Sequence, residues 1–181
     1  MTKTILLGVS GSISAYKAAD ITSSLKKLGY KVQVLMTKSA QEFITPLTLQ
    51  VLSQNTVHID VMDEPDVSKV NHIQLAKEAD LFLVAPASAN IIGKLANGIA
   101  DDMLSTLHLA LPDEVPKLFA PAMNTVMYEN KVVKRNMEQM KTDGWEEILP
   151  REALLACGDY GRGALAELPD ILLAVEEKLK N

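Results

Sequence analysis

Apolar residues recur along this chain in two alternating rhythms. Short continuous runs at Thr4–Val9, Lys31–Thr37, Thr56–Val61, Asp80–Ala85, Pro116–Ala120 and Trp145–Leu149 have the length and content of strands. Between them lie stretches whose apolar positions return every three or four residues. Ser14–Leu28 places Ala15, Ala18, Ala19, Ile21, Leu25 and Leu28 near that spacing and stops at Gly29, a usual helix-end residue. Pro46–Ser53, Val70–Ala79, Ile91–Asn97, Asp101–Leu111, Val126–Lys141 and Pro169–Lys180 are the other predicted helices, with Gly98 separating the middle pair. Strand and helix alternating at this pace predict an α/β fold: a doubly wound parallel sheet in three layers, forming a single domain over residues 1–181. The aperiodic stretch Pro150–Glu167 holds Cys157, Gly158, Gly161 and Gly163, and is predicted to be a loop serving as a lid.

Two of the strand-like runs end alike. Leu81–Ala85 and Lys117–Ala120 each pass through Pro and Ala and reach an amide, Asn90 in one case and Asn124 in the other. Proline cannot donate to a continuing ladder, so each reads as a buried parallel strand arriving at its carboxyl edge. In open α/β sheets that edge is where ligands sit. The first run ends Gly8-Val9-Ser10-Gly11-Ser12-Ile13-Ser14, glycines for a tight turn and hydroxyls for capping, which suits a phosphate and equally suits a merely capped helix. The spacing Gly-x-Gly-x-x-Gly is absent, as is the Walker lysine, which favours a mononucleotide over NAD or ATP. The second run ends Met36-Thr37-Lys38-Ser39. By itself this is a helix cap, and it gains meaning only if it lies beside the first turn.

Composition narrows the function classes. The net charge of −5, with basic residues scattered, argues against a nucleic-acid surface. No apolar run has the length of a membrane span, and the N-terminal residues lack the apolar core of a signal peptide. A single cysteine cannot form an internal disulfide, so a reducing cytoplasm is the expected location. No metal is expected.

Taken together, Gly8–Lys17, Asn71–Ala76, Pro86–Asp102, Pro121–Met127 and Ala156–Glu167 make the chain resemble the homo-oligomeric flavin-containing cysteine decarboxylases. The resemblance implies a Rossmann-like flavoprotein fold with FMN as cofactor. Its phosphate would lie at Gly11, Ser12 and Ile13, with Thr37 and Ser39 alongside. Its ring would lie against Ser88, Ala89, Asn90 and Ile91, bordered by Ala122. The implied substrate is 4′-phosphopantothenoyl-L-cysteine, of coenzyme A biosynthesis, with its cysteine end at Asn124 and Met127 as a pocket wall. An oligomer built from trimers is implied as well.

Each chemical residue has a plainer reading. His72 alone is a structural helix histidine, Cys157 a small hydrophobe and Asn124 a helix cap. The matching strings make His72 the base, Asn124 the ligand of the substrate carboxylate and Cys157 the acid that protonates the last intermediate. His58 and His108 lack such strings and are read as structural. Two departures stand out. Ile91 replaces the Thr usual after Ser-Ala-Asn, and Tyr128 replaces a common Trp. Relatives that decarboxylate peptide C-termini stop at an enethiol and lack the cysteine, so Cys157 opposes a peptidyl-cysteine decarboxylase. A non-catalytic flavin-binding regulatory subunit is the other alternative. The short, mixed-charge end Glu176–Asn181 offers no acidic tail for that role.

Overall fold

The computed structural model describes residues 2–63 and 70–180, and in it the six apolar runs become one parallel sheet. Its strands are β1 (Thr4–Val9), β2 (Lys31–Met36), β3 (Val57–His58), β4 (Leu81–Ala87), β5 (Lys117–Pro121) and β6 (Trp145–Glu147). Their order is β3-β2-β1-β4-β5-β6, so the winding reverses between β1 and β4. A crevice opens at the carboxyl ends of strands on either side of such a reversal.

Side chains alternate across the sheet, and both faces are covered, which is why the strands read as continuous apolar runs. Ile5, Leu7, Val9, Leu83 and Ala85 pack beneath α1 (Ala18–Lys27) and α8 (Leu168–Lys180). Leu6, Phe82, Val84 and Phe119 face α4 (Ala89–Ala96), α5 (Met103–Ala110) and α7 (Lys131–Thr142). The remaining helices are α2 (Pro46–Ser53), α3 (Asn71–Glu78) and α6 (Thr125–Glu129). Among the described residues, no helix is long and apolar enough to cross a membrane.

The structure departs most from the sequence expectation in the following places. The predicted strand Thr56–Val61 is only two residues long, because Asp60 Oδ1 accepts the Met62 N–H at 3.0 Å and diverts the chain into a turn. The helix expected from Ser14 begins as a 3-10 segment, Ile13–Lys17, before α1. The helix expected over Val126–Lys141 is two helices, since Asn130 leaves the helical conformation and caps α7 by accepting from Val132 N at 2.9 Å. The aperiodic stretch is no loop but an antiparallel ribbon, β7 (Arg151–Leu154) paired with β8 (Tyr160–Ala164).

His108, on α5, packs against Trp145 of the core. Its ring lies 5.3 Å from that of Trp145. Burial, assisted by the Lys117 charge and opposed by Asp143, lowers its pKa from 6.5 to about 4. The folded state therefore keeps this imidazole neutral where the unfolded chain takes up a proton. The associated stability is complete above pH 6.5 and is lost as pH falls toward 4. The expected loss is on the order of 2–3 kcal/mol across that window. Urea unfolding at pH 7.5 and pH 4.5 should show it, and a His108→Phe variant should lose that much less between the two conditions.

Candidate active site

Three strand ends are brought level by hydrogen bonds that small residues permit. The buried Ser10 hydroxyl donates to Pro86 O at 2.7 Å and accepts from Ser88 N at 2.9 Å, tying the end of β1 to the end of β4. Ala122 N donates to Ala87 O at 3.0 Å and adds the end of β5. The side chains along this edge are so short that a cavity of about 740 Å³ remains above it. The β7–β8 ribbon forms its far wall through Leu154, Leu155, Ala156 and Cys157.

One end of the cavity is a hydroxyl-rich turn. A Cβ on Gly11 would run into the side chain of Ser39, so glycine is what lets the turn after β1 touch the turn after β2. Ser12 Oγ accepts from Ser14 N at 3.3 Å and donates to Ala122 O at 3.4 Å. Gly11, Ser12, Ile13 and Ser39 all line the cavity, together with Ser14 and Lys17. Because α1 starts only at Ala18, an anion here would meet turn amides, hydroxyls and Lys17 rather than the first turn of an α-helix. Thr37 is placed otherwise. It caps the short 3-10 segment Lys38–Glu42 and lines a second cavity, of about 720 Å³, that shares Ser39 and Asn90 with the first.

The middle of the cavity is lined by short side chains. Ser88 caps α4 by accepting from Ile91 N at 3.3 Å, while Ser88, Ala89, Asn90 and Ala122 face the space. Ile91 does not. Two positions past the helix start, its side chain turns toward the sheet and is fully buried in the core. Inside the second cavity, Lys94 bridges Asp101 at 2.6 Å and Asp102 at 2.8 Å. Burial opposes the Asp102 charge, but bonds from Lys94 and Ser105 together outweigh it and lower the pKa.

At the other end, Asn124 caps a helix with one side-chain atom and reaches the ribbon with the other. Its Oδ1 accepts from Val126 N at 2.8 Å and caps α6. Its Nδ2 donates to Cys157 Sγ at 3.1 Å and to Asp159 Oδ2 at 3.2 Å. The Cys157 thiol in turn lies 3.4 Å from Asp159 Oδ2 as donor. Met127, one turn along α6, is half-exposed on the cavity wall. The ribbon reaches this position because Met123 N donates to Gly163 O at 2.9 Å. Gly163 has φ +146°, and a Cβ there would overlap the Met123 carbonyl oxygen. One on Gly161 would stand 2.6 Å from Thr125 Oγ1.

His72 is not part of this cluster. It lies half-buried on α3, lines neither cavity of its own chain, and its Nδ1 is buried without a partner among the described residues. His58 is bonded to Asn71 at 3.1 Å, and burial lowers its pKa against the opposing effect of Asp63. Sequence reasoning passed over Ser10, Lys17, Arg151 and Asp159. Of these, Asp159 had a signal, its place in Ala156-Cys157-Gly158-Asp159.

Short side chains between a hydroxyl-rich turn and a thiol–amide pair leave room for a planar cofactor of the flavin kind. The comparisons agree. A family model described as Flavoprotein matches residues 1–180. The chain is 59% identical over 179 residues to a Streptococcus mutans protein named probable phosphopantothenoylcysteine decarboxylase, covering 99% of this chain and 100% of that one. Among solved structures, a cysteine-to-serine mutant of PPC decarboxylase complexed with pantothenoylaminoethenethiol superposes with a TM-score of 0.92 at 32% identity, over 100% of both chains. The FMN-binding protein AtHal3 superposes with a TM-score of 0.87 at 33% identity, over 99% of this chain and 98% of that one. A strand-edge cavity lined by small residues, and likeness along the whole chain, lead to one conclusion: this chain belongs to the flavoprotein family, among its phosphopantothenoylcysteine decarboxylases.

Proposed function

We propose that the chain is an FMN-dependent decarboxylase converting 4′-phosphopantothenoyl-L-cysteine to 4′-phosphopantetheine in coenzyme A biosynthesis. The observation that carries this reading is the contact of Asn124 Nδ2 with Cys157 Sγ at the mouth of the cavity. On this reading Asn124 is the ligand of the substrate carboxylate and Cys157 the proton source, and the contact supports their acting on one substrate end. Gly11, Ser12 and Ser39 would hold the cofactor phosphate, and Ser88, Ala89, Asn90 and Ala122 its ring.

The chemistry explains why both ends of the site are needed. Losing CO2 directly from the cysteine end would strand an electron pair on carbon. Oxidation of the CH2–SH group to a thioaldehyde, with two electrons and two protons removed, gives that pair somewhere to go. A bound flavin supplies the reversible two-electron acceptor, so the cycle consumes no outside oxidant. Asn124 holds the carboxylate while its carbon–carbon bond breaks, and the electron pair enters an enethiolate. Cys157 then gives a proton to one carbon of the enethiol and recovers one from solvent, and the two electrons removed in the oxidation would return with a hydrogen to the sulfur-bearing carbon, which completes 4′-phosphopantetheine. A thiol at this position favours the completed cycle over release of an unsaturated peptide-type product.

His72 is the base on this reading, yet it lies outside the cavity of its own chain. We therefore place it in the cavity of a neighbouring copy, in a homo-oligomer built from trimers. The exposed Ile13 and Tyr16 beside the turn leave this end of the site open to such a neighbour.

Cys157→Ser should still release CO2 and accumulate the enethiol, two hydrogens short of the product, as read by mass spectrometry. Normal product from that variant contradicts the acid role. His72→Asn should retain its flavin spectrum while CO2 release falls by about 10²-fold or more. Co-expressing the His72→Asn and Cys157→Ser chains should restore part of the product, because some sites then combine an intact base from one copy with an intact acid from another. No recovery contradicts the shared site.

A further inference from the structure

The contacts at the cavity mouth include a carboxylate that the reaction above leaves without a role. Asp159 Oδ2 accepts from Asn124 Nδ2 at 3.2 Å and from the Cys157 thiol at 3.4 Å. The Asn124 Oδ1 is already committed to Val126 N, so its NH2 is the only part of that side chain able to meet a carboxylate. Asp159 sits in the exposed turn between β7 and β8, where its backbone carbonyl accepts from Leu155 N at 2.8 Å. That bond fixes the turn from the main chain, so the carboxylate can leave Asn124 without unfolding the ribbon.

We propose that Asp159 is a positioning residue that stands in for the substrate carboxylate, holding Asn124 before substrate arrives and taking it back once CO2 has left. The inference rests on the substrate reading given above. Asp159 presents to Asn124 Nδ2 the same chemical group that the cysteine end of the substrate presents, and two carboxylates at one donor repel. Substrate binding therefore displaces Asp159 and breaks its bond with the Cys157 thiol. When the carbon–carbon bond breaks, the electron pair moves into the enethiolate, neutral CO2 departs, and no carboxylate of the substrate remains at Asn124. Asp159 returns, seating Cys157 again beside Asn124, next to the carbon that now needs a proton. The exchange of carboxylates orders the two halves of the reaction, with proton delivery after decarboxylation.

The test compares the wild-type holoenzyme with Asp159→Asn and Asp159→Glu by calorimetric titration. Two ligands are used: the serine analogue of the substrate, which keeps the carboxylate but not the thiol, and 4′-phosphopantetheine, which has no carboxylate. Asparagine removes the competing charge and leaves a weaker neutral acceptor. Binding of the serine analogue to Asp159→Asn should tighten by about fivefold, the size of one exposed charge contact, with 4′-phosphopantetheine binding unchanged. Asp159→Glu, which keeps the charge, should behave as wild type toward both. With true substrate, the Asp159→Asn enzyme should also release a larger fraction of its decarboxylated turnovers as enethiol. Equal changes toward both ligands, or no change toward either, overturn the stand-in role. If the wild-type enzyme neither binds the serine analogue nor releases CO2 from the substrate, the functional reading itself fails and this inference with it.

Discussion

The site depends on the ends of β1, β4 and β5 stopping level with one another, and one buried hydroxyl does most of that alignment. Ser10 accepts a main-chain proton from Ser88 and gives its own to Pro86, so it completes the ladder that Pro86 cannot extend. An unmade hydrogen bond at this depth costs about 1–3 kcal/mol, which is enough to favour a single arrangement of the edge. With the backbone so held, the residues beyond it can be small. Gly11, Ala89 and Ala122 add almost nothing to the cavity floor, and a planar ligand can then lie against main chain.

The second wall is built on the same plan. Gly161 and Gly163 let β8 lie directly on the start of α6, with Met123 N bonded to Gly163 O. Helix α6 spans only five residues and gains its place from both ends. Asn124 caps it, and the Tyr128 hydroxyl donates to Glu147 Oε1 at 2.8 Å, with Lys141 2.9 Å from the same carboxylate. Burial, reinforced by Glu147, raises the Tyr128 pKa and keeps this anchor protonated. The substitution of Tyr for a common Trp thus exchanges an indole for a tethered phenol one residue from Met127. The Asn124 end of the cavity is consequently a set of short contacts between neighbouring elements.

The sheet was legible in the sequence because its strands are buried on both faces, which leaves unbroken apolar runs such as Leu81–Ala85. The ribbon was not legible. Leu154 and Tyr160 are exposed apolar residues, so its short strands carry no apolar–polar alternation in the sequence, and its pairing rests on main chain. The break at Asn130 was hidden for a related reason, since asparagine inside a periodic run becomes a cap only through its bond to Val132. Most of the candidate cavity could be read from short strings: Gly11 and Ser12, Ser88–Asn90, Asn124 and Cys157 converge from four separate segments. Ile91 was read as part of the cofactor wall, but α4 begins two residues before it and turns its side chain inward. No string in one chain can show that His72 stands apart from Cys157, because separation depends on which side of the sheet α3 packs. The bond between Asp159 and Asn124 spans 35 positions and needed coordinates to be seen.

The central claim is that this strand edge holds a flavin mononucleotide, and the most direct measurement is the visible absorption spectrum of the purified protein, followed by mass analysis of what denaturation releases. The account predicts a yellow protein that gives up one riboflavin monophosphate per chain without covalent attachment. A colourless protein that takes up no added riboflavin monophosphate would contradict it.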